Sequence, residues 1–107
     1  MIPKPGEIWL ADLGLAAKTR PVVIVSRYDP NPPRELVIYI PITTQIRQSP
    51  YEVLLHKRKF LKLDSVANVQ GTSALPTMRL EKKIGEISSD EMIRIKHAIS
   101  YALDLDN

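Results

Sequence analysis

The sequence predicts an α+β domain: a small, curled, mostly antiparallel β-sheet followed by one C-terminal helix. Short runs rich in Val, Ile and Leu recur between polar, proline-bearing turns from Glu7 to Ile87. A helical apolar period begins only after Ser88. The 107 residues are one domain's worth of chain, taken as a single unit spanning 1–107.

Gly6 opens the first run, Glu7 to Leu13, where Ile8 and Leu10 alternate with Glu7 and Trp9; this period of two predicts a half-buried strand. Pro21 begins PVVIVSR, β-branched and apolar on both faces, the pattern of a central strand. DPNPPRE is dense in turn formers and predicts a surface loop. LVIYIPIT, Leu36 to Thr43, is another apolar run; Pro41 inside it predicts a bulge or a strand edge, because proline donates nothing to a ladder. Tyr51 to Leu55, Ser65 to Gln70, and Ile84 to Ile87 after Lys82 and Lys83 are shorter strands. Five or six such strands argue for a small barrel. Ser88 followed by Glu91 is a capping box. Met92, Ile95, Ile99, Ala102 and Leu103 then share one helix face, with Arg94, His97 and Tyr101 opposite.

Composition narrows the function. An apolar fraction of 44% suffices for a real core. The chain has no cysteine, which excludes disulfides, thiolate metal sites and a cysteine nucleophile. MIPKPGEIW has no signal-peptide core, and no stretch approaches the roughly 18 apolar residues of a membrane span, so a soluble, cytoplasmic protein is expected. A net charge of +3 leans toward polyanionic partners, nucleic acid or an acidic protein. His56, in a basic turn, and His97, on the polar helix face, are expected to be solvated surface residues, and two isolated histidines do not make a zinc site. HKRKFLKLD sets Lys57, Arg58, Lys59 and Lys62 around Phe60. It reads either as a phosphate-binding stripe with a stacking aromatic or as a solvated loop with one residue tucked into the core.

Three stretches together resemble the MazF/PemK family of toxins. The first is PGEIWLADL followed by TRPVVIVS; the second is PITTQ followed by SPYEVLL. The third is DSVANVQ, then RLEKKIGEIS and an acidic-capped helix. Their order and spacing agree over nearly the whole chain. The resemblance implies an SH3-like barrel with a C-terminal helix, working as a homodimer. It also implies sequence-selective cleavage of single-stranded RNA without a metal or other cofactor, under the control of a cognate antitoxin. The RNA's own 2′-hydroxyl is the nucleophile in such toxins, and the products are a 2′,3′-cyclic phosphate and a 5′-hydroxyl.

Arg20 matches the family's catalytic arginine, and Thr43 its functional threonine. Thr19, Thr44, Gln45 and Gln70 are the corresponding candidates for substrate binding. The chemistry suits these types. Transesterification builds negative charge on phosphate oxygens, which an always-charged, planar guanidinium meets with a fork of donors and a hydroxyl meets with one more. Read without the family, Arg20 is a solvated arginine at a strand start, and Thr43 a hydroxyl satisfying a turn.

Two features depart from the family pattern. The connection GLAAKT, Gly14 to Thr19, is shorter than the loop that helps gate the RNA groove in relatives. VQGTSALPTMRL lacks the usual Asp-Gln pair and nearby arginine: Val69, not an acid, directly precedes Gln70, and no arginine follows until Arg79. Two other readings therefore stand beside the ribonuclease. One is a weak or inactive RNA-binding member of the same fold; the other is a gyrase inhibitor like the CcdB toxins.

Overall fold

The computed structural model describes residues 2–14 and 18–105. Its strands are β1 (Glu7–Asp12), β2 (Thr19–Ile24), β3 (Leu36–Thr43), β4 (Glu52–Leu55), β5 (Ser65–Asn68), β6 (Ser73–Pro76) and β7 (Leu80–Glu86). Short 3₁₀ turns at Val69–Gly71 and Thr77–Arg79 flank β6, and α1 (Ser89–Ala102) ends the order. The seven strands form one sheet in the order β4-β5-β3-β2-β1-β7, with β6 paired to β3 off that path. Every pairing is antiparallel. The sheet curls like a small barrel without closing, since no pairing joins β4 to β7 among the described residues.

β3 explains the curl. Its first half, Leu36–Tyr39, pairs with β6, and its last two residues pair with Ala67 and Val66 of β5. Pro41 stands in the gap between those partners, where a residue without an N–H leaves nothing unpaired on that side. The 3₁₀ turn between β5 and β6 passes over this seam. A Cβ on Gly71 would come within 2.6 Å of Pro41 Cγ, so only glycine lets the turn sit that close. Pro21 uses the same rule: it precedes Val22, the first residue of β2 to pair with β3.

Apolar clusters cover both faces of the central strands. Ile8, Val23, Ile40, Leu55 and Ala67 meet Ile95 and Ala98 of α1 on one face. Trp9, Ala11, Val22, Ile24 and Val37 meet Leu75 and Leu80 on the other. The two-sided pattern of PVVIV is thereby accounted for. β1 differs from its expected half-burial: Glu7, Ile8, Trp9 and Ala11 are all buried. Ile8 packs in the cluster on one face and Trp9 and Ala11 in the cluster on the other, so both faces of this strand are covered. Burying Glu7 requires partners. Its carboxylate accepts from the Lys4 backbone N–H (2.9 Å) and the Trp9 indole (3.0 Å), and pairs with Lys83 (3.2 Å). Burial pushes this carboxyl up, but those donors more than offset it and hold it below the ordinary range.

The capping box forms as expected: Ser88 Oγ accepts the Glu91 N–H (3.0 Å) and Glu91 Oε1 accepts the Ser88 N–H (2.9 Å). Met92, Ile99 and Ala102 pack on the core beside Ile95 and Ala98. Leu103, expected on that face, is the C-cap and lies exposed. The strand expected over Ser65 to Gln70 stops at Asn68, whose side chain accepts the Gln70 N–H and starts the 3₁₀ turn. β6 carries no readable pattern: of Ser73, Ala74, Leu75 and Pro76 only Leu75 is buried, and pairing with β3 alone makes it a strand.

Candidate active-site cleft

The β2–β3 register decides the geometry. Val22 faces Pro41, Val23 faces Ile40 and Ile24 faces Tyr39. Extending that antiparallel register toward the start of β2 sets Arg20 level with Thr43, on the same side of the sheet. Both line one cleft of about 570 Å³ with Thr44, walled by Leu13, Pro21, Phe60, Leu61, Lys62 and Leu63. Among the described residues its lining holds two cations, Arg20 and Lys62, and no carboxylate.

Arg20 is exposed and has no hydrogen-bond or ion-pair partner among the described residues. Its backbone is held by β1, opposite Ala11. Thr43 Oγ1 accepts the Gln45 N–H at 3.1 Å. That bond is the turn role a threonine plays at a strand end, yet it uses only the oxygen as acceptor. The hydroxyl proton remains available to donate.

Thr43 and Pro41 also line a second recess of about 520 Å³, where Gln45 and Gln70 lie with Arg47, Tyr51 and Asn68. Glu52 belongs to it too, but its carboxylate already accepts the N–H groups of Arg47 (2.9 Å) and Ser49 (3.4 Å). The two hollows meet at Thr43. Thr19 lines neither; it pairs with Asp12 at the start of β2. The Gly14–Thr19 connection, compared above with the gating loop of relatives, includes residues 15–17, which lie outside the described residues. Arg79, distant from Gln70 in sequence, reaches that loop's start: a Cβ on Gly14 would lie 3.5 Å from Arg79 Nη1.

The basic stretch takes the form of a loop with one residue tucked into the core. Phe60 is the tucked residue. A Cβ on Gly85 would come within 2.3 Å of its ring, so β7 carries glycine where the ring crosses it. Arg58 is structural: its two terminal nitrogens bind the two oxygens of Glu91, and Arg58 and Leu61 close a small bridge with bonds of 2.7 and 2.9 Å. Hydrogen bonding from Arg58 is the main cause holding the Glu91 carboxyl below its ordinary range, and the same bond raises Arg58. Yet the far end of this loop, Lys62 and Leu63, faces the cleft. Lys62 belongs to the basic run noted in the sequence, whereas no local signal marks Leu63, which the fold alone brings to the cleft. His56 and His97 are exposed as expected, and His97 lines a separate groove between α1 and β4. Among the described residues no three His, Cys, Asp or Glu side chains gather in a group able to hold a metal ion. Among the described residues no helix is long and apolar enough to cross a membrane.

Residues 4–103 match the family model described as PemK-like, MazF-like toxin of type II toxin-antitoxin system. The chain is 31% identical over 112 residues to endoribonuclease MazF9 of Mycobacterium tuberculosis, covering 94% of this chain and 95% of the relative. The solved Mycobacterium tuberculosis toxin MazF-mt6 superposes with a TM-score of 0.83 at 32% identity, over 94% of this chain and 99% of that one. A mycobacterial endoribonuclease solved in complex with its cognate antitoxin also gives a TM-score of 0.83, at 27% identity and 98% coverage of both chains.

Proposed function

The chain belongs to the PemK-like, MazF-like toxin family of type II toxin–antitoxin systems, and from that premise we propose that it is a cytoplasmic, metal-independent endoribonuclease cutting single-stranded RNA at selected sequences. The observation that carries this reading is the meeting of an unpartnered arginine and a proton-bearing hydroxyl in one cleft free of carboxylates. As the RNA's 2′-oxygen attacks phosphorus, its proton passes to solvent water and the non-bridging oxygens become more anionic. Arg20 presents two N–H groups to that charge from a backbone held by the sheet, and Thr43 donates its hydroxyl proton to the same phosphate. The bond to the 5′-oxygen breaks, the departing oxygen takes up a proton from solvent water, and a 2′,3′-cyclic phosphate remains. Thr44 in the first hollow and Gln45 and Gln70 in the second would contact nucleotides on either side of the scissile bond; Thr19 would act at the groove's edge. A homodimer and a cognate antitoxin with an acidic, flexible segment complete the proposal. The relative solved with its antitoxin and the chain's net charge of +3 support the latter.

Incubating purified protein with a long single-stranded RNA in EDTA, with end-group analysis, tests this. The wild type is expected to leave cyclic phosphate and 5′-hydroxyl ends; Arg20→Ala is expected to fold and leave the RNA intact. Cutting at the wild-type rate by Arg20→Ala would overturn the assignment. Intact RNA retarded on a gel by the wild type would favour a binding module instead.

A further inference from the structure

We infer that the loop between β4 and β5 forms a nucleotide subsite beside the reacting phosphate, with Leu63 and the edge of Phe60 receiving a base and Lys62 pairing with a flanking phosphate. This rests on the ribonuclease reading and specifies how the substrate is held.

The lining of the first hollow is the starting point. A pocket serving a phosphate alone would be polar throughout. Here Leu13, Pro21, Pro41, Phe60, Leu61 and Leu63 supply most of the wall, and the cations stand among them. A volume of about 570 Å³ falls within the range of small-ligand sites, roughly 300–1,000 Å³. An apolar shelf between two cations, with no acid to compete, suits a nucleotide: a flat ring over the apolar part and an anion at each end. Lys62, like Arg20, has no hydrogen-bond or ion-pair partner among the described residues. Leu63 is 64% exposed although it is a large aliphatic side chain on a wall of the cleft.

The loop is built to hold those two residues in place. The Arg58–Leu61 bridge closes one end. Asp64 accepts the Lys57 N–H at 2.9 Å, joining the loop's two sides, and Ser65 Oγ donates to the Leu63 carbonyl at 3.0 Å. Phe60 is set against Gly85, and Arg58 is fastened to Glu91 of the helix. Each internal anchor leaves the Lys62 and Leu63 side chains unengaged, facing the cleft. Positive charge on a mobile loop would steer RNA in general; on a braced loop it sets a register.

The test uses a short RNA bearing one mapped cleavage site, and the same RNA with an abasic residue at each flanking position in turn. Lys62→Ala is expected to lower kcat/KM about tenfold at low salt, mainly through KM. It should also reduce the slope of log kcat/KM against log salt by about 0.7, the loss of one phosphate contact on a single strand. Lys96→Ala, on the exposed face of the helix, is expected to leave both unchanged. For the wild type, one flanking abasic position should cost about tenfold; for Leu63→Ser that penalty should nearly vanish. Circular dichroism and melting of each variant separate these effects from misfolding. An unchanged salt slope in Lys62→Ala, with the abasic penalty intact in Leu63→Ser, would overturn the subsite while Arg20-dependent cutting persists. RNA left uncut by the wild type would overturn the ribonuclease reading and the subsite with it.

Discussion

Arg58 gives both terminal nitrogens to the Glu91 carboxylate, whereas Arg20 has no partner among the described residues. Arg20 lies in β2 and Arg58 in the loop between β4 and β5, and what separates their roles is a carboxylate within reach. Glu91 is buried and already engaged at the helix N-terminus, so Arg58 neutralises a charge that burial would otherwise make costly. Arg20 faces a cleft whose lining, among the described residues, has no acid, so no carboxylate there pairs with it. Thr43 and Thr72 repeat the contrast among hydroxyls. Thr72 Oγ1 donates to the Val69 carbonyl at 2.6 Å, while Thr43 only accepts and keeps its proton.

Exchanging the two arginines' fates is the sharpest way to break that comparison. Arg20→Ala is expected to lower cleavage by about 10²–10³-fold or more, the loss of a donor aimed at developing charge, with the melting temperature almost unchanged. Arg58→Ala is expected to lower stability by about 2–3 kcal/mol, because a buried carboxylate loses its charged donors. A thermal melt reads the second and an initial-rate assay the first; equal loss of stability in both variants would erase the distinction.

Gly85→Ala tests whether Phe60 is an anchor. The added methyl collides with the ring, and a cost of about 1–3 kcal/mol is expected by chemical denaturation. Adding Phe60→Leu should recover part of it. Thr43→Val keeps the shape and removes the proton, so a fall in kcat of about tenfold is expected while Thr43→Ser retains most activity. Equal rates for valine and serine would assign Thr43 to the turn alone.

The smallest effect is on pH dependence. Glu91 and Glu7 are both held below the ordinary carboxylate value, Glu91 chiefly by Arg58 and Glu7 by donors that outweigh its burial. Groups depressed on folding add stability above their unfolded value, about 4.3, and lose it as pH falls through the folded one. The protein should therefore melt more readily below about pH 4. Glu91→Gln should be less stable at pH 7 yet show a shallower acid limb, measured as melting temperature against pH.

Much of the fold is legible in local pattern. PVVIV reads as a strand buried on both faces, Leu36 to Thr43 has the bounds expected of it, and Ser88 with Glu91 starts the helix as a capping box. What escapes is whatever depends on distant partners. β1 looks half-buried because alternation describes one sheet face and cannot register a second apolar cluster on the other. β6 is invisible because one inward leucine makes no period. At the site, Arg20 and Thr43 stand out by likeness to a family, and the structure brings them into one cleft; Lys62 and Leu63 sit in a charged run that favoured no single role.

By itself, the sequence determined the secondary-structure menu, the apolar content of the core, the absence of thiol chemistry and the family to which the chain belongs. Those properties live in composition and in spacings of two to four residues, the range over which backbone geometry repeats. Tertiary structure alone decided which charges are spent on one another and which remain free. Arg20, Thr43 and Lys62 are brought together by strand register and a loop braced against β7 and the helix, and such pairings join segments too far apart in sequence for any local pattern to record.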